Sequence, residues 1–156
     1  MKQGIGFLLL LTVLAALALL PDAKADVGNL EPVEVILVQK AGGQILVETD
    51  TGSLGKGLTV SSAFEDLEQS ARGDVFLDTA EYLLLAGDTS DLIPALADFL
   101  RPSCGVIRCV GAPDLKDAAE FLGTHRPELT VKDSLAGKRD IPILETRGGR
   151  MHLVEE

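Results

Sequence analysis

The sequence predicts a single small α/β domain: a mixed sheet of about four to six strands with three helices, plus a C-terminal hairpin. Three observations carry this. After residue 30, short β-branched and apolar runs alternate with segments of helical period. About 131 residues follow an N-terminal leader, one domain's worth. The apolar content is aliphatic, with no Trp, one Tyr and five Phe in 156 residues. A core of Leu, Val, Ile and Ala is typical of α/β domains.

The leader comes first. Lys2 gives a positive start, Ile5 to Leu20 carries no charge, and Ala23-Lys24-Ala25 has the A-x-A form of a cleavage site. That is the layout of a secretory signal peptide. The rival reading is an uncleaved N-terminal anchor, because an apolar run of about 16 to 17 residues stands at the short edge of bilayer-spanning length. On both readings residues 26–156 are extracytoplasmic, secreted or held at the outer face of the cytoplasmic membrane. The sequence shows no second long apolar run.

The elements of the body follow in order. VEVILVQ (33–39) and QILVETDT (44–51), joined by AGG (41–43), read as a β-hairpin. TGSLGKG (51–57) reads as a loop. Val60, Ala63, Phe64, Leu67 and Ala71 fall on one helical face, with Ser62 and Glu65 as a capping box and Gly73 at the end. VFLDTAEYLLLAG (75–87) is a buried strand, or two broken near Asp78. A second helix starts at Thr89, Ser90 or Asp91, takes Pro94 in its first turn, buries Leu92, Ile93, Leu96, Phe99 and Leu100, and stops at Pro102. GVIRCV (105–110) is a strand. PDLKDAAEFLG (113–123) is a third helix, capped by Asp114, buried through Leu115, Ala118, Ala119 and Leu122, and stopped by Gly123. LTVK (129–132) reads as a short strand. IPILETRGGRMHLVEE, within the 138–156 extension, reads as strand, Gly148-Gly149 turn, strand. The first strand pair is expected to be antiparallel and the later, helix-linked strands parallel.

Charge narrows the partners. The chain has 14 Lys and Arg against 24 Asp and Glu, a net charge of −10. Setting aside Lys2, Lys24 and Asp22 leaves 12 and 23, so the body carries about −11. Such a body repels nucleic acid and anionic membrane surfaces. The scarcity of aromatics argues against the platforms on which bases or sugars stack.

Little in the sequence looks like chemistry. Cys104 and Cys109 are the only cysteines. Across an extended strand their Cα atoms stand about 16 Å apart, and a disulfide needs about 7 Å or less. Odd spacing also sends the side chains to opposite faces. Cys109 therefore reads as core packing and Cys104 as a partly exposed loop residue; the alternatives are a redox or intermolecular thiol, and a bridge that requires a tight bend over Ser103 to Gly105. Gly52 to Gly57 has the wrong spacing for a phosphate loop. Asp78 and Glu81, in a mostly apolar stretch, are the one carboxylate pair with a conceivable acid–base role. His125 follows a helix end and His152 alternates with Met151 and Leu153, facing solvent. Neither has the neighbours a metal site needs. No G-x-S-x-G and no H-E-x-x-H occurs, so no catalytic residue, cofactor or metal is assigned.

GKGLTVSSAFEDLEQSARGDVFLDTAEYLLLAG (55–87) resembles the N-terminal domain of the Ger(x)C lipoproteins, the C subunits of spore germinant receptors. Gly57, Thr59, Ala63, Leu67 and Gly87 carry the likeness. DLIPALADFLRPSCGVIRCVGAPDLKDAAEFL (91–122) resembles the family's next segment through Leu96, Phe99, Leu100, Arg101, Val110, Gly111 and Leu115. LTVKDSLAGKRDIPILETRGGRMHLVEE looks like the linker and first hairpin of its second domain. The family's lipobox cysteine has no counterpart, since Ala25 and Asp26 stand there, and the family continues for two further domains. The resemblance implies a truncated or divergent, non-catalytic relative tied to germination or envelope assembly.

Three functions are compatible with these features. One is a protein-interaction module whose partner is a membrane or envelope component. A second is a small-ligand-binding domain with its pocket at the carboxyl ends of the parallel strands, lined by Asp78, Thr79, Gly111 and Asp114, the last opening a helix whose N-terminus attracts an anion. The third is a secreted hydrolase using Asp78 or Glu81.

Overall fold

The computed structural model describes residues 30–138 and 140–154. The leader read from residues 1–25 lies outside them. The described chain is α/β, with strands β1 (Leu30–Pro32), β2 (Val35–Ala41), β3 (Gln44–Thr49), β4 (Leu54–Gly57), β5 (Asp74–Phe76), β6 (Tyr82–Ala86), β7 (Gly105–Cys109), β8 (Ile143–Arg147) and β9 (Arg150–Val154). Its helices are α1 (Val60–Ser70), α2 (Ile93–Leu96), α3 (Leu115–Thr124) and α4 (Val131–Leu135).

Seven strands form one mixed sheet in the order β4-β3-β2-β6-β7-β8-β9, and β1 pairs with β5 in a separate parallel ribbon. β2, β6, β7 and β8 run parallel. The expected hairpin β2–β3 is antiparallel, as is the C-terminal hairpin β8–β9. That C-terminal hairpin continues the sheet, because β8 lies beside β7 through Arg108↔Ile143 and Cys109↔Leu144.

Alternation along the central strands splits the core into two layers. Ile36, Val38, Leu83, Leu85 and Val106 face α1, α2 and α4, with Val60, Phe64, Leu67, Leu96 and Val131 packed on them. Val35, Leu37, Tyr82, Leu84 and Ile107 face the other way, toward Leu115, Ala118 and Leu122 of α3. β6 is apolar at every position because β2 and β7 flank it and helices cover both its faces.

Several local expectations change. Residues 51–57 hold an edge strand, β4, paired antiparallel with β3. Glycine hides it from a propensity reading, yet α1 lies too close for a side chain at Gly55: a Cβ there would stand 2.7 Å from the Leu67 Cβ. The cap of α1 is Thr59, one turn before the expected Ser62–Glu65 box. Thr59 Oγ1 accepts from the Ser62 N–H at 3.2 Å, and Ser62 Oγ accepts from the Thr59 N–H at 3.0 Å. The stretch 75–87 does break near Asp78, into β5, a 3-10 turn over Leu77–Thr79, and β6. The second helix keeps one α-helical turn after a 3-10 turn over Ser90–Leu92. Gly123 lies inside α3, which ends at Thr124 with His125 as its C-cap. LTVK is not a strand: Thr130 makes one antiparallel bridge to Gly105 and then caps α4, where Asp133 completes a capping box.

Candidate functional site

The four residues expected to line one pocket do not meet. Asp78 and Thr79 precede the amino end of β6, whereas Gly111 and Asp114 follow the carboxyl end of β7. β6 and β7 pair in parallel from Tyr82↔Gly105 to Ala86↔Cys109, so the two pairs lie at opposite ends of the sheet. Asp78 is exposed. Thr79 is a tie: its Oγ1 accepts from the Val33 N–H at 3.0 Å and lies 2.8 Å from the Phe76 carbonyl. Gly111 takes φ 82°, a left-handed bend suited to glycine. Asp114 fills the start of α3 with its own charge, Oδ1 accepting from the N–H groups of Lys116 at 3.0 Å and Asp117 at 3.1 Å. An incoming anion would find those donors taken and two carboxylates beside them.

Catalytic readings gain nothing from the geometry. Glu81 is exposed and meets the Arg126 guanidinium at 3.4 Å. Asp78 is also in water, so the two carboxyls are not enclosed together in a cleft. Cys104 is buried, not partly exposed, because its N–H bonds the Arg101 carbonyl in a turn that folds the side chain into the α1 layer. Cys109 is buried in the α3 layer. The two are free thiols on opposite faces of the sheet. Burial pushes Cys104 up to about 12 and Cys109 up to about 11, so both are protonated at neutral pH and lack the thiolate nucleophile. His125 stacks on Phe121 with ring centres 4.3 Å apart, and His152 is exposed. Among the described residues, no group of three His, Cys, Asp or Glu side chains is placed to hold a metal.

The sheet edge offers more. Gly148 and Gly149, with φ 58° and 76°, make a two-residue turn between β8 and β9. That turn closes on Arg147↔Arg150, so Arg150, His152 and Val154 exchange hydrogen bonds with β8. The backbone groups of Met151 and Leu153 consequently point outward, along an edge with no strand beside it among the described residues. The opposite edge, β4, is guarded: it is four residues long, carries Lys56, and lies beneath α1. β9 contains neither Pro nor Lys, and its one fully charged residue, Arg150, stands at the turn end of the strand.

A groove of about 490 Å³ runs between α3 and this hairpin. Phe121 and Met151 give it apolar surface, and Asp117 and Glu120 give it acidic walls. The hairpin was readable in the sequence. The acidic spacing of Asp114, Asp117 and Glu120 along one helix was readable too, but its closeness to β9 depends on the sheet order.

No protein-family model matches this chain, and no characterised protein or solved structure matches it either. No helix among the described residues is long and apolar enough to cross a membrane.

Proposed function

We propose that this chain is a non-catalytic, extracytoplasmic interaction module that takes an extended segment of a partner protein as an added strand on β9. The observation that carries the reading is the outward-facing backbone of Met151 and Leu153 on an edge with no strand beside it among the described residues. Strand addition draws affinity from main-chain hydrogen bonds and selectivity from side-chain pockets. Here the adjacent pocket is acidic, through Asp117 and Glu120, which favours a segment carrying Lys or Arg. The leader and the resemblance to germinant-receptor C subunits direct the partner toward a membrane or envelope component, with spores as the first place to look.

The test uses the full chain in its host, with a photo-crosslinking amino acid in place of Glu120, sampled in growing cells and in spores. A single membrane or envelope protein should be captured. Met151→Pro should abolish its capture, because it removes an outward N–H and leaves the bonds to β8 intact. Asp117→Lys should weaken it. Capture that survives Met151→Pro at an unchanged melting temperature, or no capture in either sample, would overturn the proposal.

A further inference from the structure

At the opposite end of the sheet from the β7 loop lies a feature that edge pairing does not use. We propose that the amino ends of β6 and β7 form a binding site for the carboxylate of a small organic acid, held by Arg101 and Arg126 over Tyr82.

A cavity of about 290 Å³ opens there, lined by Glu81, Tyr82, Arg101, Ser103, Arg126 and Pro127 among others. Gly105 shapes its floor. A Cβ at that position would stand 2.7 Å from Pro127 Cγ and 3.3 Å from Tyr82 Cδ1. Glycine thus lets the proline and the tyrosine ring close together, and a larger residue would wedge them apart.

Three observations point to a ligand. Tyr82 is 5% exposed, and its hydroxyl is buried without a hydrogen-bond partner among the described residues. Buried hydroxyls are nearly always paired; the acceptor close to this one is the Glu81 carboxylate, which meets Arg126 and leaves the hydroxyl without a bond in the structure. Burial first, and then the neighbouring Glu81 carboxylate, raises the Tyr82 pKa, which keeps the hydroxyl protonated and able to donate. Next, the arginines are loosely held. Arg101 reaches the Thr79 and Ala80 carbonyls through one terminal nitrogen, at 3.4 and 3.5 Å. Arg126 meets Glu81 at 3.4 Å with both side chains largely in water, at 71% and 46% exposure. Each guanidinium keeps donors in reserve. Finally, in a chain of net charge −10 two cations, Arg101 and Arg126, line one cavity in which Glu81 is the single acidic lining residue.

The chemistry selects among anions. A carboxylate is planar and matches the paired N–H groups of a guanidinium. Glu81 already supplies one negative charge, so a monoanion balances the site, whereas a dianionic phosphate leaves excess negative charge beside Glu81. The Tyr82 hydroxyl then donates to the second face of the ligand carboxylate.

The experiment uses the full chain, ¹⁵N-labelled and kept in solution by a mild non-ionic detergent. Propionate and, separately, inorganic phosphate are titrated while amide shifts are followed. Propionate should shift Gly105 and Thr130 saturably. Arg101→Gln and Arg126→Gln should each weaken it about tenfold. Tyr82→Phe should weaken it too, with the melting temperature kept or raised, because the variant removes an unpaired polar atom without opening a void. The absence of saturable shifts, propionate binding that survives the Arg101→Gln and Arg126→Gln double variant, or phosphate binding more tightly than propionate would each overturn the proposal. Because β9 plays no part, failure here leaves the edge-pairing reading intact, and the reverse holds.

Discussion

Gly55 of β4 lies flat against Leu67 of α1, so that a Cβ on the glycine would stand 2.7 Å from the leucine Cβ and 2.6 Å from its backbone nitrogen. Leu67 is fully buried and the obstacle includes backbone, so neither side can yield cheaply. Gly55→Ala should destabilise the domain by about 1–3 kcal/mol. Gly123 makes the opposite case: it lies within α3, has nothing within 4 Å of an added Cβ, and does not use left-handed backbone. Gly123→Ala should stabilise by about 0.5–1 kcal/mol. Urea unfolding of the two variants checks both signs; equal effects would show that α1 does not press on β4.

Phe64 of α1 stacks on Phe99, the rings 4.4 Å apart and 7° from parallel. Phe64 is fully buried and Phe99 partly so. Phe64→Ala should lower stability by about 3–5 kcal/mol through transfer and cavity terms. A double-mutant cycle with Phe99→Leu should give a coupling of about 0.5–1.5 kcal/mol. Additivity within about 0.3–0.5 kcal/mol would mean that the stack is contact without specific energy.

The sequence-based reading succeeds where periodicity and burial agree, and fails where tertiary contact overrides local preference. VEVILVQ and YLLLA are apolar at successive positions because both faces of their strands are covered, and that signal survives in one dimension. LGKG has no strand character of its own; it is a strand because β3 supplies the pairing and α1 needs a surface without side chains. LTVK looks β-branched, yet Thr130 and Asp133 bond each other's backbone groups and turn the chain into a helix instead. Asp78 and Thr79 looked close to Gly111 and Asp114 only while the run 75–87 could end a strand at Asp78; the strand that pairs with β7 is Tyr82–Ala86, and Asp78 and Thr79 precede its amino end. The unpaired Tyr82 hydroxyl, the one cavity shared by Arg101 and Arg126, and the flanking of β9 by α3 are all relations between distant segments, and no single stretch announces them.

Acid should act on α4. The Asp133 carboxylate accepts from Lys138 Nζ at 2.8 Å and from Thr130 Oγ1 at 2.7 Å. These bonds, the lysine's first, lower its pKa to about 2. A carboxyl depressed in the folded state contributes stability above its unfolded pKa and loses it as pH falls through the folded value. Asp133→Asn should therefore lower the melting temperature at pH 7, with a gap from the parent that narrows as pH falls from about 4 toward 2. A gap that stays constant over that window would show that the side chain's shape, rather than its charge, holds the cap.

Alkali should act on the thiols, with the opposite sign. Cys104 and Cys109 titrate at about 12 and about 11 when folded, against roughly 8.5 for an exposed thiol. A raised folded pKa gives stability that is complete below the unfolded value and drains away as pH climbs toward the folded one. Stability should fall between about pH 9 and 11, and Cys104→Ala with Cys109→Ala should flatten that part of the profile even while lowering the curve as a whole. In the native chain at pH 8 both thiols should resist an aromatic disulfide reagent over hours. In denaturant both should react within the reagent's ordinary time. Rapid native labelling of Cys104 would place that thiol at the surface and would break the link, drawn through the Arg101 turn, between its burial and the floor of the α1 layer.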